Sequence, residues 1–244
     1  MESLPGFNCQ NDVDPGELRS AMVRSGVVEL HNLVPLELVE GWRTLAEQRY
    51  DEVSDRMRSR GIDPERDKVR TREVSRRSSS RFDVRLEGER DPGWWSHLKA
   101  MPLIDDLLLS LLKPGYHHLF SGIVVACPGA RTQHIHRDGG NGLFPEQPLP
   151  TPAYALTVFV PLSGFGPEFG PTEFYPGAWL NDPQPDDEPV AAQLELGSAL
   201  IFDYRLPHRG GAHNANTNRI YAYSVLSRPW FGDHLNYEEP SLFS

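Results

Sequence analysis

A helix-rich first half, a second half of short β-like runs between Gly, Pro and Asn turns, and histidine and aspartate side chains set among those runs predict a mainly β protein with flanking helices. Ligand-type side chains on antiparallel strands point further, to a double-stranded β-helix core, the jelly roll of the cupin type. The whole chain, residues 1–244, is expected to form a single domain, with a helical N-terminal part over 1–115 and the jelly-roll core over 116–231. Its 22 prolines suit long, shaped loops at a barrel mouth.

In chain order, DPGELRSAMVRS (14–25) predicts a short helix, with Asp14 as its N-cap and Pro15 at its first position. Residues 26–30 (GVVEL) predict a strand. A second helix is expected from Pro35 to about Arg58, with Leu38, Val39, Trp42, Leu45 and Ala46 on one face. Residues 59–91 form a basic segment, least structured at Arg76-Arg77-Ser78-Ser79-Ser80. Trp94 to Lys113 predicts one amphipathic helix closed by Pro114-Gly115, its Trp94-Trp95 pair serving packing. Strands are then expected at 119–127, 154–162, 193–203 and 219–226.

Composition bounds the function. The net charge of −10 argues against nucleic acid as the main partner. No apolar run approaches the roughly 20 residues that span a bilayer, and MESLPGFNCQND lacks the basic and apolar regions of a signal peptide. Cys9 and Cys127 are too few for a disulfide framework, and no CxxC pair suggests zinc. These features predict a soluble protein of the reducing cytoplasm. Charge is uneven, however: residues 55–90 hold 12 Lys+Arg against 8 Asp+Glu in an otherwise acidic chain. Such a segment reads either as a solvated, partly mobile surface stretch or as a basic lid over an anionic substrate. Within its 66–90 portion, residues 81–86 alternate like a strand. Arg81, Asp83 and Arg85 then share one face and Phe82, Val84 and Leu86 the other, so Arg81 or Arg85 would point at a substrate carboxylate or phosphate.

The chemistry sits in two places. In QHIHRD, His136 and Asp138 are two apart, so on a strand they point to one side while Arg137 points away. Downstream, the buried-strand pattern of 197–202 leads to Pro207-His208, and a turn-rich stretch then leads to Arg219 at the start of another strand. Tyr221, Tyr223 and Val225 share the face of Arg219, which argues against a surface arginine. Two imidazoles and one carboxylate form the three-ligand face that holds non-haem Fe(II) in oxygenases. That face leaves three open positions, enough for a bidentate 2-oxo acid and O2. The far carboxylate of 2-oxoglutarate would be costly to bury unpaired, and a guanidinium such as Arg219 meets it with two parallel hydrogen bonds.

These residues resemble the phytanoyl-CoA dioxygenase-like (PhyH) family of Fe(II)/2-oxoglutarate oxygenases. Gln133-x-x-His136-x-Asp138 resembles its QxxHxD, and Phe169 to Gly177 (FGPTEFYPG) resembles its NGPT…PG loop. His208 to Asn214 with Arg219 resembles its HxGxxN…R block, and SRPWF (227–231) resembles the RPWF after the last core strand of some members. The opening GVVELHNLVPLELVEGW is also similar, so the likeness spans most of the chain and is thinnest over 50–115. The resemblance implies His136, Asp138 and His208 as catalytic metal ligands and Arg219 as the anchor of the 2-oxoglutarate 5-carboxylate. It further implies that Thr172 assists Arg219 and that Gln133 hydrogen-bonds near the co-substrate or iron. Two departures stand out: Ala178-Trp179 where members often have Ser-His, and Tyr221 where related enzymes often place serine.

The expected activity is oxidation of a C–H bond in a small molecule, by default hydroxylation, with release of succinate and CO2. Asp138 argues against halogenation, because the halogenases of this superfamily lose that carboxylate. Two other readings stay open: a metal-dependent cupin enzyme that does not use 2-oxoglutarate, and a non-catalytic jelly-roll binding protein. His134 would crowd an open metal position. His117, His118 and His213 read as surface or supporting residues.

Overall fold

The computed structural model describes residues 3–64, 66–86, 93–140, 151–178, 182–184, 186–233 and 240–243. Trp179 and the parts of the basic segment at 65 and 87–90 lie outside the described residues.

The first helix, α1 (Pro15–Ser25), starts where predicted. Asp14 accepts a hydrogen bond from the Glu17 N–H at 2.7 Å, and Gly26 ends the helix at φ 79°, a left-handed conformation that suits glycine. Strand β1 (Gly6–Asn8) pairs in parallel with β2 (Val27–His31). Helix α2 (Leu36–Ser59) buries Val39, Trp42, Ala46, Val53 and Met57 along one stripe. Leu45 lies beyond the edge of that stripe and is 47% exposed, contrary to expectation. The single helix expected from Trp94 to Lys113 is broken in two, α3 (Trp94–Lys99) and α4 (Pro102–Leu112). Pro102 is the reason: it forces Met101 into an extended conformation and opens a new helix at its first position.

The basic segment departs most from expectation. Its supposedly least ordered stretch is mostly strand β3 (Val74–Ser78), which forms a hairpin with β4 (Arg81–Leu86) around Ser79-Ser80. The later strands are β5 (His117–Ala126), β6 (Ala155–Ser163), β7 (Thr172–Phe174), β8 (Val190–Ala191), β9 (Ala199–Asp203), β10 (His208–Gly210) and β11 (Arg219–Ser227). They build an eight-stranded sheet, ordered β1-β2-β9-β6-β11-β5-β4-β3, and a three-stranded sheet, β10-β7-β8. This is the jelly-roll core with helices flanking it. The N-terminal half thus supplies four strands of the large sheet as well as helices.

Alternation divides each strand between two cores. On the outer face, Phe82, Val84 and Leu86 of β4, and Leu156, Val158 and Val160 of β6, pack with Trp42, Trp94 and the apolar stripe of α4. The Trp42 and Trp94 rings meet edge to face at 6.0 Å. Full burial of each large apolar side chain contributes about 1.5–3 kcal/mol. The inner face turns toward the small sheet, where Phe174, Leu200, Phe202 and Tyr221 form a second cluster. The cavity that carries the polar residues is lined in part by side chains of β4, β5, β6 and β11.

Candidate metal centre

His136 and His208 are brought together by the backbone. Each donates its N–H to the other's carbonyl, at 3.0 and 2.9 Å, forming an isolated antiparallel bridge between the 131–138 loop and the start of β10. His136 therefore lies on an extended loop rather than on the regular strand expected, but the two-residue alternation holds. Asp138 comes to the same side, while Arg137 turns away to Asp182 and the Arg205 carbonyl. One ligand atom from each of His136, Asp138 and His208 lies within 4.8 Å of the others. His208 Nε2 is 3.6 Å from an Asp138 oxygen.

The surrounding contacts set the ligand atoms. Each imidazole directs Nδ1 at a backbone carbonyl, His134 O at 3.0 Å for His136 and Leu206 O at 2.9 Å for His208. A proton on Nδ1 leaves the Nε2 lone pair for a metal. Burial pushes the His208 pKa down to about 4, against the opposing pull of Asp138, so at neutral pH this ring has no proton to expel. The ring is wedged against Phe174 and Phe202, at 5.6 and 5.0 Å between centroids. Asp138 is held by Thr157, whose hydroxyl donates to the second carboxylate oxygen at 3.2 Å. Sequence reasoning missed Thr157. Its signal was the alternation of ALTVFV (155–160), which turns Leu156 and Val158 outward and Thr157 with Phe159 inward.

These residues line a cavity of about 500 Å³. Its lining includes Arg219, Arg81, Thr172, Gln133 and Gly210. Arg219 is 1% exposed, its Nη1 donates to the Gly170 carbonyl, and its guanidinium lies 4.6 Å from the Tyr221 ring centroid. Where serine was the family expectation, an aromatic face thus underlies the cation. Gln133 accepts a hydrogen bond from the Gly210 N–H at 2.9 Å. Arg81 is also 1% exposed and donates from Nη2 to the Gly211 carbonyl at 2.8 Å. Burial, and then the nearby Arg219, pull its pKa down to about 9, still well above neutral. Burial likewise lowers that of Arg219.

Another part of the lining is largely aromatic and apolar: Phe120, Val124, Tyr204, Tyr223 and Val225. Arg77 stands there in a 2.7 Å ion pair with Asp83, which also accepts from the Tyr223 hydroxyl at 2.7 Å. Arg85 is not among the lining residues; its guanidinium lies over the Phe120 ring at 5.6 Å. Residues 74–86 of the basic segment are therefore an integral edge of the large sheet, and the apolar face of β4 belongs to the main core. His134 is exposed and contributes a backbone carbonyl, whereas His213 is buried and bonded to the Thr217 carbonyl. Among the described residues, no helix is long and apolar enough to cross a membrane.

A jelly roll with two imidazoles and a carboxylate converging in its cavity defines the class as an oxygenase-type enzyme of the cupin architecture. The family model for phytanoyl-CoA dioxygenase (PhyH) matches residues 22–220, and the chain belongs to that family. Solved structures share the fold at low identity. SnoK, a non-haem α-ketoglutarate-dependent carbocyclase from nogalamycin biosynthesis, is 18% identical with a TM-score of 0.63, covering 91% of this chain and 87% of its own. The EctD structure from S. alaskensis, with bound Fe, is 18% identical with a TM-score of 0.63, covering 95% and 90%. SnoN, an α-ketoglutarate-dependent epimerase of the same biosynthesis as SnoK, is 18% identical with a TM-score of 0.58, covering 93% and 92%.

Proposed function

We propose that this protein is an Fe(II)- and 2-oxoglutarate-dependent oxygenase that oxidises a C–H bond of a small molecule. The reaction consumes 2-oxoglutarate and O2 and yields succinate, CO2 and the oxidised product, by default an alcohol. The observation that carries this reading is the pairing, in one cavity, of a two-histidine, one-carboxylate cluster with the buried guanidinium of Arg219. The donor set fits the metal: two neutral nitrogens and a carboxylate suit Fe(II) and leave positions open. The far end fits the co-substrate, since the buried Nε–H of Arg219 has no hydrogen-bond partner among the described residues.

When bound, Fe(II) supplies the redox centre at which O2 and the 2-oxo acid react. The chain's own residues do the rest. His136 and His208 present Nε2 because carbonyls occupy Nδ1. Asp138 is oriented by Thr157. Arg219 takes the 5-carboxylate of 2-oxoglutarate, with Thr172 beside it, while Gln133 stays fixed on Gly210. The aromatic and apolar part of the lining keeps water from the reacting end and receives the organic substrate. We read residues 1–244 as one such domain, acting in the cytoplasm on a small-molecule substrate.

The test is mass spectrometry of metal and small ligands retained by gently purified protein, followed by succinate measurement with Fe(II), 2-oxoglutarate and candidate substrates. Iron-dependent succinate formation supports the reading. Tight metal binding without succinate would mean a cupin enzyme with other chemistry.

A further inference from the structure

The exposed residues of the cavity lining show where the cavity meets solvent. Strand β3 is one edge of the large sheet. Along the free side of β10, at one edge of the small sheet, runs the extended 131–136 loop. There the Gln133 N–H donates to the Gly210 carbonyl at 2.9 Å, and His136 bridges to His208. The two edges are joined at one point, where the Cys127 N–H donates to the Ser80 carbonyl of the β3–β4 turn at 2.8 Å. Among the described residues, the exposed part of the lining lies wholly on these edges. Arg77 and Ser79 stand on one, and Arg131, Thr132, His134 and His136 on the other. The cavity therefore opens between β3 and the loop.

No acidic side chain is among those exposed lining residues, in a chain whose net charge is −10. Both edges instead carry an arginine. Arg77 is held in place by a chain of contacts. Its Nε and Nη2 donate to one oxygen of Asp83 at 3.0 and 2.7 Å, and the other oxygen accepts from the Tyr223 hydroxyl at 2.7 Å. Tyr223 lies on β11, two strands from β4, and its ring crosses Gly122 of β5 to reach Asp83; a Cβ at Gly122 would overlap the ring and its hydroxyl. The Asp83 side chain is 10% exposed and that of Arg77 37%, so the carboxylate is the buried end of the pair and the guanidinium the solvent end. An arginine kept at a surface for solubility alone needs neither a buried carboxylate nor a glycine in a central strand. Arg131 makes no hydrogen bond or ion pair with any described residue.

We infer that Arg77 and Arg131 recognise an anionic group of the organic substrate, a carboxylate or a phosphate ester, at this opening. The body of the substrate then lies against Phe120, Phe159 and Tyr223 of the lining. This rests on the oxygenase reading above and names its substrate class, an organic anion with an apolar or aromatic body. Asp83 fixes one edge of a five-donor group and so sets the direction in which the guanidinium points. The Arg77–Asp83 pair is a dipole with its positive end outward, and Arg131 adds a net positive charge. An acidic protein repels an organic anion over most of its surface, and this opening is where the local field reverses sign.

The experiment is calorimetric titration of protein saturated with Mn(II) and 2-oxoglutarate, so that the co-substrate's own anion site is filled. The probes share a phenylalkyl body and differ in the head: 4-phenylbutanoate, 3-phenylpropyl phosphate and the neutral 4-phenylbutan-1-ol. Wild-type protein is compared with Arg131→Gln, which breaks no contact with a described residue, and with the double variant Arg77→Gln/Arg131→Gln. A charge-assisted contact is a factor of about ten or more, so the better anion should bind at least about tenfold more tightly than the alcohol. That margin should shrink in Arg131→Gln, vanish in the double variant and fall with added salt, because exposed charges are screened. Alcohol affinity should be the same in all three proteins. Either anion in the lead supports the inference, and their order names the group. Wild-type protein that prefers neither anion over the alcohol overturns it, as does a folded double variant that keeps the preference. Failure of the wild-type protein to bind 2-oxoglutarate would instead overturn the oxygenase reading itself.

Discussion

Thr157→Val isolates how the metal cluster is held. The hydroxyl of Thr157 is the one side-chain donor recorded to Asp138 among the described residues, at 3.2 Å. Valine has nearly the same shape, and Thr157 is 2% exposed, paired across the sheet with Phe202 and Val225, so an added methyl meets apolar neighbours. The fold should lose only the hydrogen bond, about 1 kcal/mol, which for a chain of this size lowers Tm by roughly 2–4 °C. The effect on metal should be larger. Removing a group that orients a ligand typically weakens metal binding about 10- to 100-fold. The contact is long for an O–H···O bond, beyond the usual range of roughly 2.5–3.0 Å, and the Asp138 side chain is 27% exposed, so water can replace the lost donor in part. Both facts place the expected loss near the lower end, about tenfold, or ~1.4 kcal/mol. The assay is metal titration by calorimetry on metal-free protein, with 2-oxoglutarate affinity measured separately at saturating metal. Weaker metal binding with co-substrate affinity preserved is the expected result. A metal affinity equal to wild type in a folded variant would refute the claim that Thr157 positions Asp138.

Other outcomes follow from the same geometry. Arg219→Leu removes a fully buried cation from the co-substrate end; a broken buried charge pair costs about 3–5 kcal/mol. The dissociation constant for 2-oxoglutarate should therefore rise a hundredfold or more, with metal affinity little changed, as a two-ligand titration will show. Gly210→Ala drives a methyl into Arg81 and Gln133, so it should destabilise the protein by about 1–3 kcal/mol in denaturant unfolding. His208→Ala should abolish tight metal binding and succinate formation together, because the ring is buried and its Nε2 is a converging donor.

Much of this site was legible in the sequence because its signals are local. The two-residue step from His136 to Asp138, the glycine-rich turn after His208 and the apolar partners of Arg219 each state their geometry within a few positions. Pairing across long separations was not legible. Nothing near Arg81 announces that it shares a row with Arg219, 138 residues downstream; that follows from both strands pairing with Ala126. The basic segment misled for a related reason. Its charge reads as solvated, yet Asp83 is buried against Arg77 and Tyr223, so alternation rather than charge was the informative feature of residues 81–86. Pro102 was visible, and its power to split the helix outweighed the continuous apolar stripe on either side.

The central claim is that one cavity holds a divalent metal on His136, Asp138 and His208 and a 2-oxo dicarboxylate with its far end on Arg219. A crystal structure of the protein grown with Mn(II) and 2-oxoglutarate, the metal located by anomalous scattering, tests it most directly. The account predicts one metal per chain, bound by Nε2 of both histidines and an oxygen of Asp138, with the acid extending from it to the Arg219 guanidinium. Metal absent from that cluster, or an acid whose far carboxylate points away from Arg219, would contradict it.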